Sequence, residues 1–410
     1  MTDNPFTSSI FKDIWFAHFK KSRSRTKIEG FDSVEFFKDR WGVYANSGKT
    51  HTKGITYYIS KTLDLKGKTL LLHDVPSYLQ SGEHQIVLDT VKLKKVRQYP
   101  GYLIELDQFQ DLDDFMRRKF KKSSRYKLNK YKKRLLECFD ITYEMYLGKI
   151  DHKTFDNIFD QFREMLEKRF KDKGEYNNNL DKNEWEFYKK VGAPMLQEKK
   201  AGLFVIRNNG EPIAITLNYF SDQVIFDAIT VFDIDYAKFH LGSVNIMLLV
   251  DWGLKNGFKI LDFSKGHFDY KERWATKKYD FEFHIFHDPK SFGSLFKSAL
   301  LVNSFIIKQY LREKGVNLLI NKIRNRTNNK NKTDHSNSLG QSVVFEDYDL
   351  NFAPKVEKID GNDSNIKKAL FDFLYLFGES AKDVVIYKNT EVTGQYIFKG
   401  KKSCKTSILT

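Results

Sequence analysis

The clearest local grammar of apolar runs and polar turns lies between residues 202 and 232. Residues 202–207 and 213–220 read as two strands around Asn208-Asn209-Gly210, a turn whose residues accept positive φ. Ser221-Asp222-Gln223 then opens a third strand over 224–232, so three consecutive antiparallel strands are expected. After a loop over 233–239 the period changes to that of a helix across 242–255, which stops at Asn256-Gly257, a helix C-terminal signal. Residues 258–263 follow as a strand parallel to its predecessor, because a helical crossover separates the two.

The flanking pattern is mixed. Residues 11–19 and 34–41 look helical and aromatic, and 55–60, 69–73 and 102–106 look like strands, which together make a small α/β unit. A helix over 112–137 carries Phe115, Phe120, Leu128, Tyr131 and Leu135 near helical spacing, so one face packs while the other is polar. Residues 141–145 read as a strand, and 153–170 as a helix whose apolar positions Phe155, Ile158, Phe159, Phe162, Leu166 and Phe170 form a core face. A polar loop over 171–179 and a helix over 182–198 lead into the three strands. Residues 293–323 are helical and basic, and 324–340 are rich in Asn and Ser, a linker. The last stretch has an amphipathic helix over 366–377 and strands at 384–387 and 396–398.

The fold class expected is mixed α/β: tandem units, each a mostly antiparallel twisted sheet flanked by helices, with a small C-terminal appendage. The expected domains are 1–145, which includes the basic helix, 146–323, the linker 324–340, and the appendage 341–410, whose role the pattern does not assign.

Apolar residues make up 41% of the 410 and aromatics 15%, which is the composition of a packed protein and excludes a chain that is disordered throughout. The longest apolar stretch, 244–254, is too short to span a bilayer and contains Asp251, and the first residues lack a secretion-signal pattern, so a cytoplasmic location is expected. Cys138 and Cys404 form no metal or redox motif, and no metal is expected. The formal charge of +16 favours polyanionic partners. It concentrates between Arg117 and Arg134, where eleven basic residues stand without an acid. A helix of that kind fits tRNA phosphates or an anionic membrane surface, and it also fits a solvated face.

Candidate chemistry lies in the central segment. A loop followed by a helix N-terminus holds a pyrophosphate through backbone N–H groups and the helix dipole, and here that place is Lys238, His240, Leu241, Gly242 and Ser243. Gly242 allows close backbone approach, Ser243 caps or donates, and Lys238 adds charge. Transfer of an acyl group from a thioester needs a base for the acceptor proton and an acid for the leaving thiolate. Asp227, His240, Asp262 and His267 are the base candidates, and Tyr270 is the acid. Asp262 ends a strand beside the crevice where open α/β sheets place ligands, which favours a substrate-facing role.

Gly242, Gly257, Asp262-Phe263, Gly266, Tyr270-Lys271 and Trp274 together resemble the signature of the BioF2-like, or cellulose-biosynthesis-type (CelD-like), acetyltransferase family within the GNAT superfamily. The likeness covers about half the chain and leaves out 1–100 and 341–410. It implies an acyltransferase that moves an acyl group, acetyl above all, from acyl-CoA to an amine or hydroxyl of a sugar or amino acid, in envelope or exopolysaccharide assembly. The same pattern is similar to Fem-type peptidyltransferases, tandem GNAT-like units that use aminoacyl-tRNA. That likeness implies an electrostatic role for Lys271. The loop 238–243 is poorer in Gly and Arg than the usual GNAT acceptor loop, which keeps the tRNA-dependent reading beside the CoA-dependent one. A non-enzymatic module that binds nucleic acid or membrane through its basic face is the third alternative.

Overall fold

A computed structural model describes residues 3–60, 62–79, 90–174, 177–314, 343–349, 355–361 and 364–409. The expected linker 324–340 and the end of the expected helix 293–323 lie outside these residues. Within them one sheet of eleven strands forms the body, in the order β1-β2-β3-β4-β11-β5-β10-β9-β8-β7-β6. Its strands are β1 (Arg25–Lys27), β2 (Glu35–Lys38), β3 (Tyr44–Asn46), β4 (Thr69–Pro76), β5 (Lys92–Glu105), β6 (Ile141–Tyr146), β7 (Ala201–Asn208), β8 (Glu211–Phe220), β9 (Val224–Phe232), β10 (Ile260–Lys265) and β11 (Lys277–His287). Among the described residues only β3–β4 and β9–β10 pair in parallel. The architecture is the expected mixed α/β class. The sheet runs unbroken across residues 145 and 146, because β6 pairs with β7 along its whole length.

Alternation along the central strands builds two cores. Leu203, Val205, Ile215, Leu217, Val224 and Phe226 face α1 (Ser9–Phe19), α4 (His152–Lys173) and α5 (Lys182–Gln197). Phe204, Ile206, Ala214, Ile225 and Leu261 face α2 (Leu112–Lys119), α3 (Lys122–Cys138) and α6 (Leu241–Lys255). Two more helices complete the body: the short α7 (Asp269–Trp274) and the long α8 (Phe292–Glu313). The three expected strands, their hairpin turn, the crossover helix and the parallel strand all form as read.

Three expectations are corrected. The basic helix over 112–137 is two helices, because Phe120 turns extended to put its ring edge-on to Trp274 at 4.9 Å, and Lys121 follows it out of the helix. Residues 34–41 contain the strand β2 rather than a helix, with Phe36 and Phe37 both buried on opposite faces. Residues 55–60 make no ladder, only a single bridge from Ile59 to Phe31.

The C-terminal part holds α9 (Ser364–Phe377) and a separate sheet of β12 (Glu346–Asp347), β13 (Val356–Ile359), β14 (Val385–Asn389), β15 (Gln395–Lys399) and β16 (Cys404–Ile408). It docks through α9. Phe371 packs between Tyr236 at 4.7 Å and Phe139 at 4.9 Å, and Lys367 bonds Asp235 at 2.8 Å.

Candidate active site

The parallel pair β9–β10 is in register only from Ile260 opposite Val224 to Asp262 opposite Phe226. Beyond that point the two strands part, and backbone groups on each are freed from the ladder. On the β10 side a bulge against β5 separates Asp262 from Lys265, and Ser264 takes φ 63°. A bulge of this kind re-aims side chains, and a non-glycine residue in the left-handed region is strain that the surroundings hold in place.

Charge collects around this opening. Lys265 pairs with Asp74 at 2.6 Å, and Asp74 is itself buried, at φ 61°, with Thr52 donating to it at 3.3 Å. Lys271, 5% exposed, donates to the carbonyls of Lys265 at 2.9 Å and Ser264 at 3.4 Å, which pins the bulge. Burial lowers the Lys271 ammonium to about 8, against the pull of the Asp227 and Asp262 carboxylates. Lys53 is lowered to about 8 as well, by burial and by the charges of Lys265 and Lys271. Asp227, one step past the last residue of β9 that pairs with β10, accepts from Thr230 at 2.9 Å. Its carboxyl is raised by burial, and Lys271 and Lys53 act in the opposite direction. Tyr270 lies at the mouth, 45% exposed, and its phenol is held above its ordinary range by crowding and by Asp227.

Asp262 faces the protein interior. It is fully buried, accepts from Tyr279 at 2.7 Å on both oxygens, from Tyr78 at 2.8 Å and from the Ser264 N–H at 2.7 Å. Burial lifts it to about 6 despite those donors. These three donors make Asp262 the anchor of the bulge. His267 bonds the Tyr102 hydroxyl at 2.8 Å.

The loop ahead of α6 forms as expected, but its side chains are engaged. His240 takes φ 48° as the N-terminal residue, gives α6 no side-chain cap, and stacks on Tyr131 at 3.9 Å. Its imidazole is lowered by burial and by Arg273, which favours the neutral ring. Lys238 pairs with Asp372 of α9 at 3.7 Å. Leu241 points into the core. Gly242 is required for a different reason from ligand approach: a Cβ there would lie 2.6 Å from the Phe232 ring. Ser243 donates its N–H to the His240 carbonyl at 2.8 Å.

The structure therefore brings Asp227, Tyr270 and Lys271 together and sets the 238–243 loop at the start of α6, beyond the end of β9. Sequence reading missed Lys53, Asp74, Lys265, Tyr78 and Tyr279. Asp74 carried a signal, an acid inside the buried run Thr69–Pro76. Tyr131 also lines a cavity of about 850 Å³ with Lys121, Lys122, Lys127, Lys130, Tyr126 and Tyr375. No metal-binding cluster occurs among the described residues.

Residues 118–272 match the acetyltransferase (GNAT) domain model. The chain is similar in structure to FemX, with 9% identity and a TM-score of 0.47, covering 68% of this chain and 92% of that one. It is also similar to a conserved protein of unknown function from Bacteroides thetaiotaomicron, with 12% identity and a TM-score of 0.45 over 69% of this chain and 90% of that one. The L-PGS structure from Bacillus licheniformis matches with 11% identity and a TM-score of 0.41, over 74% and 96%. No curated protein sequence matches the chain.

Proposed function

We propose, from the GNAT-type acetyltransferase domain over residues 118–272, that the chain transfers an acyl group from acyl-CoA to an amine or hydroxyl of a sugar or amino acid. The observation that carries this reading is the parting of β9 and β10 with Asp227, Lys271 and Tyr270 around the gap, near the uncapped start of α6.

In this reading the donor thioester lies in the gap with its pyrophosphate at the 238–243 loop, which faces the positive end of the α6 dipole. Asp227 takes the proton from the acceptor nitrogen or oxygen as that atom attacks the thioester carbon. A carboxyl raised above its ordinary range is a better base near neutral pH than a surface one. The oxyanion that forms is stabilised by the Lys271 ammonium, which stays protonated below about pH 8. Collapse breaks the carbon–sulfur bond, and the Tyr270 phenol gives its proton to the leaving thiolate; its raised range keeps that proton in place beforehand. Acceptors of envelope or exopolysaccharide assembly fit the family resemblance.

A second reading has its own support. The cavity lined by four lysines and three tyrosines adjoins His240 through Tyr131, and a basic groove with exposed rings suits single-stranded nucleic acid such as the end of an aminoacyl-tRNA.

Thermal unfolding at low salt with acetyl-CoA, longer acyl-CoAs, free CoA and bulk charged tRNA in parallel separates the two, since ligands of the native state raise the midpoint. A shift with CoA thioesters alone supports the first reading. A shift with charged tRNA alone replaces it with the second, and no shift with any donor removes both.

A further inference from the structure

The helix α8 is apolar on two sides. Its inner side packs on the sheet: Phe305 stacks on Phe283 at 3.8 Å, and the buried Ser294 and Ser298 bond the carbonyl of Lys68 and the ring of His287. Its outer side carries Phe292 at 84% exposure, Phe296 at 62%, Leu300 at 56%, Ile307 at 58% and Tyr310 at 58%, with Leu295, Ile306 and Leu311 among them. At 3.6 residues per turn all eight fall within roughly 160° of the circumference, and Phe292 and Tyr310 share one azimuth five turns apart. An apolar arc of this length, interrupted by the exposed Asn303, is far beyond the scattered exposed apolar residues normal on a soluble surface.

One border is basic: Lys297 and Lys308 follow the same edge of the apolar arc, while Arg312 turns inward over Tyr99 of β5 at 3.6 Å. Across Phe292–Glu313 the charged residues are Lys297, Lys308, Arg312 and one acid, Glu313, at the end. Lys297 donates to the Gly42 carbonyl, which brings the Arg40–Trp41 corner alongside, and Trp41 is 68% exposed. The sequence that follows, 314–332, adds six Lys or Arg and no acid.

We infer that α8 lies in the surface of an anionic membrane, with its outer apolar side at the acyl-chain boundary, its lysines at the headgroups and Trp41 as an interfacial anchor. Large apolar and aromatic side chains on one side, with lysines at the edge, are what in-plane binding to anionic lipid requires. Indole rings favour the headgroup level. A second copy of the chain is a poorer occupant. A two-fold contact through this face would bring the Lys297 and Lys308 edges of the two copies close together with little acid to offset them. No helix among the described residues is long and apolar enough to cross a membrane, so the contact is with the surface. An enzyme held this way would meet its acceptor at the membrane.

The test is flotation of the full chain with phosphatidylcholine vesicles, with and without about 30% phosphatidylglycerol. Binding is expected to the anionic vesicles, weakening as salt rises. The double variant Phe296→Glu/Ile307→Glu is expected to lower the partition coefficient about 100-fold with its thermal midpoint unchanged, while Phe296→Leu/Ile307→Leu retains binding. Failure of the wild type to float with anionic vesicles overturns the inference, and so does equal flotation of the Glu variant. It is also overturned if light scattering finds a dimer that the Glu variant dissolves while vesicles stay unbound.

Discussion

Tyr279 crosses β5 directly over Gly101, and that missing side chain is what lets its hydroxyl reach both carboxylate oxygens of Asp262 at 2.7 Å. A Cβ on Gly101 would stand 2.2 Å from the Cζ of the ring. Gly101→Ala therefore forces the ring aside and leaves the buried carboxyl short of a donor. Overpacking and the lost bond together lower the unfolding free energy by about 2–4 kcal/mol. A double-mutant cycle in chemical denaturation identifies the cause: in a Tyr279→Ala background the Gly101→Ala substitution is expected to have little further effect. An undiminished effect there would mean that the clash lies elsewhere.

The same carboxyl sets a pH dependence. Asp262 is lifted to about 6 in the folded chain, above its unfolded value near about 4. A group raised in this way contributes stability that is fully present below the unfolded value and is lost as pH rises through about 6. Asp262→Asn removes the titration. The stability gap between wild type and variant is expected to widen as pH falls from about 7 to about 4, and a flat gap in midpoint against pH would rule out this protonation.

Much of this arrangement was legible in the sequence, and the boundary between legible and hidden is physical. Local grammar gave the hairpin at Asn209-Gly210, the strands β7 to β9, α6 and β10, because turn residues and periodicity act within a few positions of each other. The pairing of Tyr270 and Lys271 with Asp227 was reachable because all three fall within the stretch that carries the resemblance. Lys53 and Asp74 come from the far end of the chain and meet Lys265 only because β11 and β5 bridge the two halves of the sheet. No short-range pattern encodes that. The strand β11 itself was readable: Tyr279, Phe281, Phe283 and Ile285 alternate with polar residues, a period-two signal overlooked beside the stronger motif upstream. The partners of Asp262 were hidden for a different reason. Its strand position was right, but Tyr279 of β11 and Tyr78 of the turn after β4 claim its oxygens, and sequence spacing does not report partners of that kind.

Lys271 is expected to act on the transition state. Lys271→Met lowers kcat by about 10²–10³ with the donor KM little changed, because charge is removed where the oxyanion forms. In the wild type the rate falls as pH rises through about 8, where the ammonium is lost. In Lys53→Met that alkaline limb should persist and move to higher pH, since a neighbouring positive charge is gone. An alkaline limb that survives in Lys271→Met assigns it to another group.

Tyr270 supplies the proton for the leaving group. Tyr270→Phe is expected to slow transfer by about 10²-fold with ordinary thioesters. The deficit should shrink with a donor whose thiol is more acidic and leaves without help. Equal losses on both donors would show that the phenol positions the substrate instead of protonating it.

The C-terminal part bears on the reaction through α9. Phe371 fills the space between Tyr236 and Phe139, Asp372 holds Lys238, and Tyr375 meets Phe239 edge-on at 5.3 Å, so one helix braces the loop that leads into α6. Phe371→Ala opens a cavity and is expected to destabilise the chain by about 3–5 kcal/mol. Asp372→Ala is gentler. It frees Lys238 from a partly exposed ion pair, worth about 1 kcal/mol or less in stability, and leaves the core intact. If α9 positions the loop for the donor, Asp372→Ala changes the donor KM while kcat and the acceptor KM hold, whereas a purely packing role predicts that all three kinetic constants stay at their wild-type values.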